Sequence, residues 1–171
     1  MLDQLMNLIR ENAGDSIVNN PDIPNERNEE AIETAGSSLV SGLQGILAQG
    51  GTKDVLGFFT NESNANAGNP MVQQLSGGVM DSLMNKFGLN KSQAGGIVGS
   101  LLPMVLGKLI GRTNNPNDSS FNIQDIFNSL SGGKSAGINM ESMLGKAASG
   151  GLDKDRDGDV DLQDLTAMFS R

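Results

Sequence analysis

Leu2, Leu5, Met6, Ile9 and Ala13 recur at helical spacing and stop at Gly14, which predicts an amphipathic helix over residues 2–13. Asn19-Asn20-Pro21-Asp22-Ile23-Pro24 then reads as a turn, because the prolines fix the backbone while Asn and Asp bond to it locally. A second helix is expected from Asn25 to the Gly50-Gly51 stop, with Glu26, Glu29 and Glu30 at the positive end of its dipole. Thr52 is expected to cap a short third helix carrying Val55, Leu56, Phe58 and Phe59. The polar stretch 61–69 predicts a loop, closed by Asn69 as N-cap and Pro70 as the first helical residue.

Val72, Leu75, Val79, Leu83 and Phe87 follow helical spacing up to Gly88. A further helix begins after Asn90 and carries Ala94, Ile97, Val98, Leu101, Leu102, Val105, Leu106 and Leu109, with Pro103 expected to kink it. Gly95 and Gly99, then Gly107 and Gly111, sit four residues apart on this helix, a spacing that lets a neighbour pack closely. No useful run of strand-like alternation occurs. The expected fold class is therefore all-α: a glycine-rich bundle of about seven short helices, with a C-terminal EF-hand-like module. Residues 1–112 form the expected helical domain and 113–171 the metal-binding module.

Composition changes this picture in two ways. With no Trp or Tyr, the core must be built from Leu, Ile, Val and Met, so Met80, Met84, Met104, Met140, Met143 and Met168 are expected to be core filler. With neither His nor Cys, the chain has no imidazole or thiolate for nucleophilic catalysis or zinc ligation. The formal net charge of -8 argues against binding nucleic acid or an anionic membrane surface. The N-terminus lacks a basic region ahead of an apolar run, so a cytoplasmic location is expected. The most apolar stretch, Ile97 to Leu106, is far short of the roughly 20 residues of a membrane span and is expected to be a buried helix.

The strongest chemical signal is Asp153-Lys154-Asp155-Arg156-Asp157-Gly158-Asp159-Val160-Asp161-Leu162-Gln163-Asp164. Acidic oxygens fall at positions 1, 3, 5, 9 and 12 of an EF-hand loop, and Asp159 at position 7 supplies a backbone carbonyl. Gly158 allows the sharp turn at position 6, and Val160 is the inward apolar residue at position 8. Six aspartates and two cations give the loop a charge of -4, a crowding that is costly unless a cation lies among the carboxylates. Ca²⁺ is the expected ion, with Mg²⁺ the alternative, because Asp164 stands where the longer Glu is common.

Asp118 to Ile126 matches Asp157 to Leu165 in its acidic, apolar and Gln-Asp positions, 39 residues upstream. Extended backward, this second loop spans 114–125, with Pro116 at position 3 and Ser119 in place of glycine. Those substitutions predict poor metal binding and a role in pairing with the working loop. The simpler alternative is that both segments are helix N-termini of similar composition.

Met1-Leu2-Asp3-Gln4-Leu5, Asn19-Asn20-Pro21, and above all Gly88-Leu89-Asn90-Lys91-Ser92-Gln93-Ala94 leading into Leu101-Leu102-Pro103, resemble the YidB-like bacterial family of unknown function over residues 1–112. Similar proteins often carry an Asp-Gly-Asp-Gly segment near the C-terminus, where Asp155 to Gly158 lies here. The resemblance implies a glycine-rich helical fold and supplies no catalytic residues. Asp164 at position 12 also makes the loop similar to those of dockerins, which implies a tether to a partner protein.

A non-enzymatic role is therefore expected, with one divalent cation as ligand and either a protein partner or self-association. A carboxylate-based hydrolase using Glu26, Glu29, Glu30 and Glu33 is the remaining alternative. At helical spacing on a first turn, these glutamates more simply form a solvated face matched to the helix dipole.

Overall fold

A computed structural model describes residues 2–115, 117–118 and 121–131. Within them the chain forms six α-helices joined by one π-helical and two 3-10 turns, with no strand. The helices are α1 (Leu2–Asn12), α2 (Asn28–Ala48), α3 (Thr52–Phe58), α4 (Pro70–Phe87), α5 (Lys91–Thr113) and α6 (Ile123–Leu130). The all-α class holds, but the helices are not uniformly short: α2 has 21 residues and α5 has 23.

The periodic apolar positions explain how these helices meet. α2 buries Ala31, Ile32, Ala35, Leu39, Leu43 and Ile46, while α4 buries Val72, Leu75, Val79 and Leu83. Gly42 lets these two helices approach, since a Cβ there would lie 2.7 Å from Leu75 Cδ2. α5 contributes all eight apolar positions anticipated for it, along with Ile110. In α1, Leu5 and Ile9 are buried as expected, and Leu8, which the spacing argument passed over, is fully buried as well. Phe121, Ile123, Ile126, Phe127 and Leu130 join the same core, so α6 is packed into the body formed by the earlier helices.

Helix ends follow local chemistry. Asn69 Oδ1 accepts from the Met71 backbone N–H at 2.9 Å, with Pro70 in the first turn. Gly88 ends α4 in the left-handed region at φ 69°, where a residue with a Cβ would be strained. Asn90 and Gln93 form a capping box. Asn90 Oδ1 accepts from Ser92 and Gln93 N–H, and Gln93 Oε1 accepts from Asn90 N–H.

Three sequence expectations need correction. Thr52 lies inside α3 rather than capping it; Gly51 is the cap residue, and no side-chain cap bond is made. Gly107 and Gly111 pack against side chains near the 3-10 turn Glu62–Asn64, where added Cβ atoms would lie 3.8 Å from Ala65 Cβ and 2.6 Å from Glu62 Oε1. Gly95 and Gly99 face open space, so the glycine spacing does not mark one continuous close approach. Met104 is 47% exposed and is not core filler, whereas Met80 and Met84 pack on the core's edge.

α5 runs unbroken through Pro103. Proline removes the helical donor for the Gly99 carbonyl, and Gly99 is exposed, so water can supply that bond. The helix extends well beyond the apolar stretch 97–106. By length and mean hydropathy it could cross a membrane, yet half of that window is buried inside the body, as the buried-helix expectation had it.

Candidate metal site and other described surfaces

The expected loop ligands Asp153, Asp155, Asp157, Asp159, Asp161 and Asp164 lie outside the described residues. Their chemistry is therefore that of the donor set. It consists of hard oxygens only, and a chain without His or Cys can place neither nitrogen of imidazole nor thiolate sulfur beside them. Among the described residues, no three acidic side chains gather as a metal-holding group.

The upstream segment 114–125 is described in large part, and it bridges α5 and α6. Asn114, at loop position 1, is the C-cap of α5, and its Nδ2 donates to the Phe59 carbonyl at 2.8 Å. Asn115 Oδ1 accepts from the Asn117 backbone N–H at 3.0 Å, an Asx-type turn. Asn122, at position 9, is the N-cap of α6 and accepts from Gln124 N–H at 2.7 Å. Asp125, at position 12, falls in the first turn of α6 and is exposed. Helix capping thus accounts for the geometry at 122–125, and the side chain at position 1 ties the loop to the end of α3. A helix–loop–helix is present here, but its amide side chains serve the backbone.

The glutamates considered for catalysis are arranged for a different task. Glu29 accepts from Arg10 at 2.6 Å, and Glu30 pairs with Arg27 at 2.7 Å and Lys86 at 3.4 Å. The hydrogen bond from Arg10 holds the Glu29 carboxyl below its ordinary range, and that from Arg27 does the same for Glu30. A general acid near neutral pH needs its pKa raised, so these two carboxylates are tuned in the opposite direction.

Comparison with protein-family models, with curated proteins and with solved structures finds no match in any of the three. What can be said of function therefore rests on this chain's own residues.

One arrangement escaped the sequence argument. Gln93 Nε2 donates to Asp22 Oδ1 at 2.6 Å, joining the Asn19–Pro24 turn to the start of α5 across 71 residues. Arg27 stacks over the Phe87 ring at 4.3 Å and donates to the Lys86 carbonyl at 3.2 Å, clamping the same corner. The Asn19–Pro24 turn and the segment Gly88–Ala94 are thus neighbours in space. Their residues serve as a turn, a left-handed glycine, a cap and a tie.

A cleft of about 520 Å³ opens between α3 and the start of α4, with Lys53, Asp54, Phe58, Asn64 and Met71 among its walls. Asn64 Nδ2 already donates to the Gly57 and Phe58 carbonyls at the end of α3. Lys53 and Asp54, adjacent and opposite in charge, give the cleft no net field for a charged ligand. A second, smaller depression of about 50 Å³ lies among Leu5, Val40, Leu43, Leu109, Ile126 and Leu130, with Ser129 beside it.

Proposed function

We propose that this chain binds one divalent cation, Ca²⁺ with Mg²⁺ as the alternative, through the side chains of Asp153, Asp155, Asp157, Asp161 and Asp164 and the backbone carbonyl of Asp159. The observation that carries the reading is the register of the loop: five acidic positions, the glycine and the apolar residue all fall where an EF-hand loop uses them. The ion gathers carboxylates that otherwise repel, so its binding energy becomes folding energy for the C-terminal module. The role is structural or interaction-based rather than catalytic. The lowered carboxylates of Glu29 and Glu30 support that choice, because they are held as ion-pair partners.

A second reading, a dockerin-like tether to another protein, is favoured by Asp164 at position 12. The same residue provides a test of the metal site. An aspartate is one methylene too short to give both oxygens to a large ion without drawing in the chain that follows, whereas Mg²⁺ is content with one. Asp164→Glu should therefore raise Ca²⁺ affinity relative to Mg²⁺ in paired calorimetric titrations of the full chain. An unchanged or reversed preference would remove position 12 from the ligand set.

A further inference from the structure

The cleft of about 520 Å³ between α3 and the start of α4 falls within the range of about 300–1,000 Å³ usual for small-molecule sites. Its walls combine three kinds of side chain. Ile46, Phe58 and Met71 are apolar and nearly buried, Asn64 and Asn69 are half-buried amides, and Lys53 and Asp54 are exposed charges.

The backbone holds the two amides in ways that fix what each has left to offer. Asn64 Nδ2 donates to the Gly57 and Phe58 carbonyls at 2.9 and 3.1 Å, so both its N–H groups are spent and Oδ1 remains as an acceptor. Asn69 Oδ1 accepts from Met71 N–H, so Nδ2 remains as a donor. Lys53 and Asp54 form no ion pair among the described residues, with each other or with any other side chain. Gly57 leaves part of the wall bare. Glycine inside a helix weakens it, and a Cβ at this position would meet nothing within 4 Å, so no packing contact of the chain itself calls for it.

These features narrow the ligand. A bare anion would face the Asp54 carboxylate and a bare cation the Lys53 ammonium, so the pair favours a molecule with both charges, one at each end. Phe58 is only 3% exposed, which leaves no open aromatic face for a sugar or nucleobase to stack on. One fixed acceptor and one fixed donor match a peptide group, which offers one N–H and one carbonyl. The apolar floor suits an apolar side chain. An extended dipeptide has its ends up to about 7 Å apart, a span that neighbouring residues of one helix can bracket.

We propose that this cleft binds a zwitterionic dipeptide with an apolar side chain, its carboxylate at Lys53, its ammonium at Asp54 and its amide between Asn64 Oδ1 and Asn69 Nδ2. The inference goes beyond the metal-site reading and does not rest on it.

Alanyl-leucine, titrated into the isotope-labelled full chain and followed by NMR, is the probe; its N-acetylated and C-amidated forms each lack one end charge. Amide shifts should concentrate at 53–58 and 69–74. The zwitterion should bind about two- to fivefold more tightly than either blocked form, the size expected of an exposed ion pair. Lys53→Gln, at an exposed position, should weaken the zwitterion by about the same factor and leave the C-amidated form, which has no carboxylate to lose, unchanged. Gly57→Leu should fill the cleft and abolish binding, with thermal unfolding to check that the fold is kept; if it is not, the Lys53 comparison alone decides. Shifts absent from these segments, equal affinity for the three forms, or Lys53→Gln weakening the amidated and zwitterionic forms alike would overturn the inference, as would binding that survives in a folded Gly57→Leu.

Discussion

The helical body and the acidic loop encode their structures in different currencies of side chain. Between Leu2 and Ser131 the message is where apolar residues recur, and one continuous core results, drawing on all six helices. Between Asp153 and Asp164 the message is where oxygens recur, with Val160 and Leu162 the only apolar side chains. A segment of the first kind is stabilised by removing carbon from water; a segment of the second kind needs a cation to offset its own repulsion. The difference teaches that stability in this chain should respond to packing mutations in one region and to ion activity in the other.

The largest test strikes the body. Phe59 is fully buried and meets Phe58 edge-on, with ring centroids 5.9 Å apart. Phe59→Ala should cost about 3–5 kcal/mol in urea unfolding. Ca²⁺ affinity, measured where the variant is still folded, should stay within about twofold, because sites without shared partners add independently. A parallel loss of affinity would merge the two regions into one unit.

Removing the ion is the converse test. At about 100 times its dissociation constant, a bound ion stabilises by roughly 2.7 kcal/mol, and chelation should remove that increment. Amide exchange from Met140 to Phe169 should rise before that of α1 to α5 responds. Identical exchange with and without chelator would break the proposed coupling.

The smallest effect sharpens the account of the glycines. Gly96 is on the exposed side of α5, and a Cβ there would meet nothing within 4 Å. Gly96→Ala should therefore raise stability by about 0.5–1 kcal/mol, through helix propensity alone. A loss of stability in thermal or urea unfolding would reveal a close neighbour that this surface does not show.

What could be read from the sequence follows from the range of each interaction. Asn69, Gly88 and Asn90 were legible because a cap or a left-handed stop is decided within four residues. The π-helical turn Gly14–Val18 was not, since five residues hold too little periodicity to show. Thr52 misled because Gly51 can cap as well and stands one residue earlier. The tie between Asp22 and Gln93 and the stacking of Arg27 on Phe87 depend on how distant helices meet, which spacing along the chain does not reveal. The proposed metal loop lies outside the described residues, and it stands out in the sequence because all its proposed ligands lie within twelve consecutive residues. In the upstream segment, Asn122 to Asp125 form the capped start of α6.

The central claim is that Asp153 to Asp164 hold one ion, and calorimetric titration of the wild type beside Asp153→Ala/Asp157→Ala tests it most directly. The wild type should bind one Ca²⁺ per chain with a dissociation constant on the order of 10⁻⁷ to 10⁻⁴ M. The double variant should lose that binding while α1 to α5 unfold as before. Equal affinity in both proteins would contradict the account.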